Sequence, residues 1–200
     1  EHVSDANFEY EMAYDEEGND VLYVAKYTGE GGDVVVPSTV TAKVGGEERT
    51  MSVVDIEDEV FAKVGDKIRS IDLSQCESLN DLYIDRKMDG NPFYKVKETA
   101  LVFLPKDNGS VGVNVVVGDE CQKLLLKEDE DFYSPRDFKA KNVEYNRILS
   151  GVQQSDGTWK SKAHTVCLPF DMAIPENQLE EVKVYKLHEV DVNNKVFQFT

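Results

Sequence analysis

The histidines and cysteines of this chain lack the spacings that metal binding and nucleophilic catalysis require. The three histidines form no H-E-x-x-H or H-x-H pattern; they are His2, His164 and His188. The three cysteines, Cys76, Cys121 and Cys167, form no close pair such as C-x-x-C, which a zinc site or a disulfide-rich scaffold would show. We therefore expect no metal, and we expect Cys76 and Cys167, each inside an apolar stretch, to be small core side chains.

Signatures of covalent and cofactor chemistry are missing from the sequence as well. It contains no G-x-S-x-G nucleophile elbow, no P-loop and no G-x-G-x-x-G fingerprint, and the glycines of residues 29–32 indicate a loop. The 39 Asp and Glu residues are numerous enough for two of them to meet as a glycosidase pair. Such a pair needs a deep cleft, and a short stack of repeats offers only a shallow face. We expect no catalytic residues, no cofactor and no enzymatic activity.

Charge and hydropathy exclude two classes of partner. With 22 Lys and Arg against 39 Asp and Glu, the formal net charge is -17, so the field of the protein repels nucleic acid and anionic lipid. No apolar run approaches the roughly 20 residues that cross a bilayer. The chain opens at Glu1 without a secretory leader, so we expect any signal peptide to have been removed.

Alternating apolar residues predict an N-terminal β-hairpin. Large apolar and polar residues alternate over residues 8–14, and the β-rich run 21–27 follows a six-residue loop at 15–20. The acidic loop could coordinate calcium through its oxygens, but it lacks the ligand spacing of an EF-hand. A solvated turn is the favoured interpretation.

A degenerate repeat follows between Val34 and Pro105. The stretches Ile68–Leu73 and Leu79–Ile84 share the spacing apolar-x-x-apolar-x-apolar, which predicts one strand per coil of a leucine-rich-repeat stack. Phe61 and Phe93 each stand at a turn, thirty-two residues apart. A Phe that recurs in successive coils fills the end of a solenoid core.

The C-terminal part predicts short strands and turns. Residues 113–126 form two apolar runs around Gly118, which predicts a hairpin, and the charge run 127–131 predicts a solvated loop. Four further stretches are strand-like and indicate a sandwich-like module that starts near Phe138; they are 143–149, 165–170, 182–187 and 196–199. The best helix candidate, residues 174–181, is short and acidic.

The segments DVVVPSTV, VVDIEDEVF, IRSIDLSQCESLNDLYIDR, NPFYKV and TALVFLP resemble BspA-type leucine-rich repeats of secreted and surface proteins from host-associated anaerobic bacteria. The segments NVVVGDECQKLLL, DFYSPRDFKAKNVEYNRILS, TVCLPFDMAIP and VKVYKLHEV are similar to the β-module often appended to those repeats. The chain carries about two and a half irregular repeats, interrupted at residues 41–50, fewer than family members usually have. The resemblance implies adhesion or recognition rather than catalysis.

Strand alternation and residue type point to candidate binding residues. In the predicted repeat strands the apolar residues point into the core. Strand alternation then points Arg69, Asp72, Tyr83 and Asp85 outward, with Arg86 beside them. Tyr and Arg are enriched where interface energy concentrates, although ordinary exposed residues give the same pattern. The sole tryptophan, Trp159, lies near a predicted hairpin tip, where it could stack on a sugar ring or pack within the module.

The sequence thus predicts a mostly β protein with three parts. They are an N-terminal hairpin cap at 1–33, degenerate repeats and a hairpin at 34–137, and a β-sandwich-like module at 138–200. The predicted function is non-enzymatic recognition or adhesion by a secreted or cell-surface protein that binds a protein partner through its repeat face. The alternatives are a carbohydrate-binding accessory module and a structural spacer of a larger surface protein.

Overall fold

The computed structural model describes residues 3–80, 82–106, 112–146, 151–161, 187–191 and 196–199. It is mostly β, which confirms the predicted class. The chain divides into two compact units, Glu1–Ile148 and Leu149–Thr200. The division falls after residue 148 rather than near 138, because the strand at Lys139–Asn146 pairs with a strand of the first unit.

Eleven strands and one short 3₁₀ helix, at Ala62–Val64, are described in the first unit. In chain order the strands are β1 (Val3–Ser4), β2 (Phe8–Tyr14), β3 (Asp20–Tyr27), β4 (Gly32–Val35), β5 (Thr39–Val44), β6 (Glu47–Ile56), β7 (Ile68–Asp72), β8 (Leu101–Leu104), β9 (Val115–Val117), β10 (Glu120–Lys127) and β11 (Lys139–Asn146). They form one sheet in the order β1-β2-β3-β6-β5 and a second in the order β11-β10-β9-β8-β7-β4.

The predicted N-terminal hairpin is confirmed as β2 and β3, which pair antiparallel. At its loop the Asp15 carboxylate accepts hydrogen bonds from the backbone N–H of Glu17 (2.9 Å) and Asn19 (2.8 Å). The hydrogen bonds from Asn19 are the main cause that lowers the pKa of Asp15. The Asp15 carboxylate therefore closes its own turn by accepting backbone hydrogen bonds. This agrees with the interpretation of the loop as a solvated turn.

The interruption of the repeats at residues 41–50 lies in a second hairpin, formed by β5 and β6. Gly45 and Gly46 at its tip have φ of 61° and 89°, the left-handed conformation that a tight primed turn requires. β6 continues past the hairpin and runs parallel to β3, so the insertion adds strands to the first sheet instead of breaking the stack.

The second sheet contains a ladder of four parallel strands, β4, β7, β8 and β9. The register places Val34 beside Ile71, Ile71 beside Val102, and Val102 beside Val115. All four side chains are buried in one core cluster, which also contains side chains of the first sheet. Each parallel strand thus brings one apolar residue to the same buried row.

The predicted strand at residues 79–84 is wrong, because no strand is described between β7 and β8. Leu73, Cys76, Leu79 and Leu82 are buried at every third position. Two successive turns carry this spacing, since Cys76 N–H donates to Leu73 O and Leu79 N–H donates to Cys76 O. The parallel partner of β7 is instead β8, and Leu79 and Leu82 of the second apolar run are buried outside any described strand.

A row of aromatic rings crosses the core and includes Phe61 and Phe93, which are buried as predicted. Phe61 and Phe93 are fully buried and their ring centroids lie 6.2 Å apart. The row continues into the N-terminal hairpin, with Tyr27 at 5.8 Å from Phe61 and Phe8 at 5.2 Å from Tyr27. The hairpin therefore supplies the next two rings of the row.

The predicted hairpin at residues 113–126 is confirmed as β9 and β10, which turn at Gly118 with φ of 62°. A connection follows at residues 128–138, here named the crossover segment, and leads to β11, which pairs parallel with β10. The charge run 127–131 is partly fixed, because the Glu130 carboxylate accepts a hydrogen bond from Thr99 and forms an ion pair with Lys127.

Four strands are described in the second unit: β12 (Gly151–Gln153), β13 (Trp159–Ser161), β14 (Leu187–Asp191) and β15 (Val196–Phe199). β12 and β13 form a hairpin that turns at Gly157, with φ of 84°, and β14 pairs antiparallel with β15. The predicted strand at 196–199 is confirmed. The predicted strand at 165–170, nearly all of that at 182–187, the helix candidate at 174–181 and Cys167 lie outside the described residues.

Candidate functional site

The outer face of the parallel ladder is the surface that the sequence assigns to recognition. Strand alternation puts Val35 of β4, Asp72 of β7, Phe103 of β8 and Val116 of β9 in one lateral row on this face, opposite the core row. Along the row, exposure changes sharply: Val35 is 64% exposed, whereas Phe103 is fully buried. One end of the face is therefore open and the other is covered.

The crossover segment covers the buried end. The Arg136 guanidinium lies 4.0 Å from the ring centroid of Phe103 and 3.2 Å from the Asp72 carboxylate. The same guanidinium donates to Ser74 Oγ at 3.2 Å. Arg136 thus holds the segment on the sheet through one cation–π contact, one ion pair and one hydrogen bond.

The open end carries a compact group of side chains, which we name the edge patch: Val35, Asp33, Arg69 and Tyr133. Arg69 stands at a bulge in the pairing of β4 with β7, which turns its side chain toward Asp33. Its guanidinium lies 2.5 Å from the Asp33 carboxylate and 4.7 Å from the ring centroid of Tyr133. About half of each side chain remains exposed, 49% for Arg69 and 48% for Tyr133.

Contacts on both sides of Arg69 pre-organise the edge patch. The Asp33 carboxylate also accepts a hydrogen bond from Ser70 Oγ at 2.9 Å, so both oxygens of Asp33 are engaged. Arg69 is held between this carboxylate and the aromatic ring. Side chains fixed in this way lose little conformational entropy when a partner binds.

Two of the predicted binding residues, Arg69 and Asp72, lie on this face. Arg69 is exposed as predicted and belongs to the edge patch. Asp72 also points to the outer face, but only 21% of its side chain is exposed, because Arg136 covers it. Its carboxylate also accepts hydrogen bonds from the backbone and hydroxyl of Ser74, so Asp72 fixes structure around the crossover segment.

The other three predicted residues of the repeats lie in the turns between β7 and β8. Tyr83 is 56% exposed, as predicted, and its hydroxyl lies 3.5 Å from the Asp85 carboxylate. Asp85 accepts hydrogen bonds from the backbone N–H of Lys87 and Met88 and so closes a turn. In the described part of the chain, the contacts of these residues do not join them to the edge patch.

Arg86 differs from the expected outward position beside Asp85. Its guanidinium donates to the backbone carbonyls of Glu98 and Ala100, the latter at 3.0 Å. Burial lowers the pKa of Arg86 to about 10. A side chain that donates to these carbonyls stabilises the connection between residues 86 and 100.

Trp159 is the first residue of β13, directly after the turn of the β12–β13 hairpin, where the sequence predicted a hairpin tip. Only the backbone of this residue belongs to the described structure. Its role in sugar binding stays a prediction.

Two further features concern small ligands and metals. A cavity of about 180 Å³ is lined by Ile84, Arg86, Glu98 and Gly112 among others. It is smaller than the roughly 300–1,000 Å³ of most small-molecule sites. Within the described residues, no three His, Cys, Asp or Glu side chains are grouped closely enough to hold a metal ion, and no helix has the length and apolar character to span a membrane.

The sequence did not point to Tyr133, Val35 or Arg136. Tyr133 and Arg136 follow an acidic run that reads as a solvated loop, and only the return of the chain to β11 brings them onto the sheet. The one available signal was the FYSPRDF segment, which is rich in aromatic and Arg residues for a loop.

No protein-family model matches this chain, and no curated protein or solved structure matches it either.

Proposed function

We propose that this chain is a non-enzymatic, secreted or cell-surface recognition protein of the BspA-type repeat kind, and that it binds a protein partner through the edge patch. The observation that carries the proposal is the contact of Arg69 with Tyr133, half-exposed and held by Asp33, beside the exposed Val35. Tyr and Arg are the residue types most enriched at interface hot spots.

The shape of this surface supports a protein partner over a small molecule. A sheet face with a few projecting side chains is shallow, whereas small ligands are usually enclosed in a cleft. Protein partners bury roughly 800 Å² on each side of an interface, with the energy concentrated in a few central residues. Arg69 and Tyr133 supply such a centre.

The proposal is tested by screening the full chain against purified host surface proteins and a glycan array, followed by affinity measurements on variants. For a protein ligand we expect Tyr133→Ala or Arg69→Ala to weaken binding by about 2 kcal/mol or more. Tyr83→Ala is the matched control, because Tyr83 is a similarly exposed tyrosine outside the patch.

The outcomes separate the candidate functions. Loss of affinity in Tyr83→Ala but not in Tyr133→Ala would move the site to the turns between β7 and β8. Binding to a glycan that Trp159→Ala abolishes, with the fold intact, would favour the carbohydrate-binding alternative. A chain that binds neither class of ligand would contradict recognition and favour the structural spacer.

A further inference from the structure

We infer that the partner of the edge patch presents a positively charged surface; this inference rests on the proposed function. The patch lies beside the crossover segment, whose residues 128–138 contain five acids and one base, Arg136. The distribution of charge around Tyr133 is therefore one-sided, and it determines which partner the surface attracts.

The cation of the edge patch and that of the crossover segment are already paired with carboxylates of the protein. Arg69 pairs with Asp33 at 2.5 Å, and Arg136 pairs with Asp72 at 3.2 Å. Lys127, at the start of the crossover segment, pairs with both Glu98 and Glu130. A negatively charged partner would have to compete with these internal carboxylates for each cation.

Three carboxylates of the crossover segment face solvent. Asp129, Asp131 and Asp137 are all exposed, and we name them the acidic rim. Asp131 is two residues from Tyr133, and two extended residues span at most about 7 Å, so its carboxylate lies within reach of whatever contacts the ring. The rim therefore adds exposed negative charge within four residues of Tyr133 on either side.

The net charge of the whole chain also favours a positively charged partner. A formal net charge of -17 produces a long-range field that attracts cations and repels anions. Such a field mainly raises the rate of association and weakens as salt screens it, whereas the buried centre of an interface sets the rate of dissociation. We expect the rim to control association with a basic partner, and Tyr133 with Val35 to control its residence time.

The test uses three short fluorescein-labelled peptides and fluorescence anisotropy with the full chain. One peptide alternates Lys with Val, the second replaces Lys by Glu, and the third replaces Val by its isostere Thr. We expect the Lys–Val peptide to bind at low ionic strength and to lose most of its affinity in high salt. The Lys–Thr peptide should bind more weakly, because it lacks the apolar side chains that contact Tyr133 and Val35.

Two variants of equal net charge test whether the attraction for the Lys–Val peptide comes from the acidic rim. The rim variant carries Asp129→Asn, Asp131→Asn and Asp137→Asn, and the control variant carries Glu16→Gln, Glu48→Gln and Asp89→Asn, which are exposed elsewhere. We expect the rim variant to slow association with the Lys–Val peptide by about tenfold and the control variant to change it by less than about twofold.

Equal effects of the two variants, preferential binding of the Glu–Val peptide, or no binding of any cationic peptide would overturn the inference. The proposed function is judged separately with the protein ligand found by screening. If Tyr133→Ala weakens that complex while the rim variant does not, recognition through the patch stands and the basic partner is rejected. If neither Tyr133→Ala nor Arg69→Ala weakens it, the proposed function fails as well.

Discussion

Asn114 shows how one buried polar side chain determines the local structure between β8 and β10. It is fully buried and has φ of 58°, a left-handed conformation that Asn tolerates better than most residues. Its amide group donates to Thr99 O and Leu125 O, both at 3.0 Å, and its side-chain oxygen accepts from Leu125 N–H at 2.6 Å. Every polar atom of the side chain is thus paired with backbone from two neighbouring segments.

We expect Asn114→Ala to lower the free energy of unfolding by about 2 to 4 kcal/mol, because it leaves buried backbone groups of Leu125 and Thr99 unpaired. Asn114→Gly is the matched control, since it loses the same hydrogen bonds but adopts positive φ without strain. Urea melts should show the Ala variant as the less stable of the two. A loss below about 1 kcal/mol in both variants would contradict the role assigned to this side chain.

The thiols of the first unit give a prediction about pH. Cys76 is fully buried, as predicted, and burial followed by the charge of Asp72 raises its pKa to about 11; burial also raises the pKa of Cys121. Because the folded protein favours the thiol form of Cys76, the raised pKa makes the free energy of unfolding depend on pH. The contribution of Cys76 to stability is fully present below the ordinary thiol pKa and is lost as pH rises toward about 11. We expect native Cys76 and Cys121 to react slowly with a thiol reagent.

Peptide mass spectrometry after labelling, in native buffer and in urea, measures the two sites individually. Cys76→Ala should also flatten the fall in stability at alkaline pH relative to the unsubstituted protein. Rapid labelling of Cys76 in the native protein near neutral pH would show that this part of the core opens readily.

At the scale of elements, the aromatic row joins the N-terminal hairpin to the parallel ladder. Phe61 and Phe93 are fully buried, and neither residue lies in a strand, so the rings pack between two turns, which backbone hydrogen bonds from Glu59 to Asn91 and from Lys97 to Gly65 also join. We expect Phe61→Ala and Phe93→Ala each to cost roughly 3 to 5 kcal/mol, as large-to-small core substitutions do.

A double-mutant cycle tests whether the two rings act together. Because the ring centroids lie 6.2 Å apart, we expect a coupling free energy of about 0.5 to 1.5 kcal/mol between the two substitutions. The same cycle with Met51→Ala in place of Phe93→Ala is a control from the same core. Additive effects at Phe61 and Phe93 would mean that the row contributes burial without a specific ring contact.

At the scale of the whole molecule, the core cluster of the described residues lies within the first unit. The residues of the core cluster run from Val3 to Val115, and the strands that complete both sheets end at Asn146. We therefore expect a fragment of residues 1–148 to fold cooperatively, with a circular dichroism spectrum of β type and a single unfolding transition. A fragment of residues 1–138, which lacks β11, is the comparison and should be less stable, because the edge of β10 is then unpaired. An unfolded 1–148 fragment would contradict the division into units.

Local patterns predicted those parts of the fold that depend on neighbours in sequence. Alternation predicted the β2–β3 hairpin, turn residues around Gly118 predicted the β9–β10 hairpin, and the predicted recurrence of Phe61 and Phe93 matches the ring contact. Each of these depends on side-chain period or turn conformation, which a few adjacent residues specify.

Tertiary structure decided the rest, because pairing between distant segments selects among locally equivalent conformations. The apolar residues of 79–84 can be buried without a strand, and β8 occupies the position beside β7. Asp72 alternates outward as predicted, yet Arg136 covers it after a crossover from β10 to β11. Tyr133 reaches Arg69 by the same crossover, so the candidate site depends on a contact between residues that are sixty-four positions apart in the sequence.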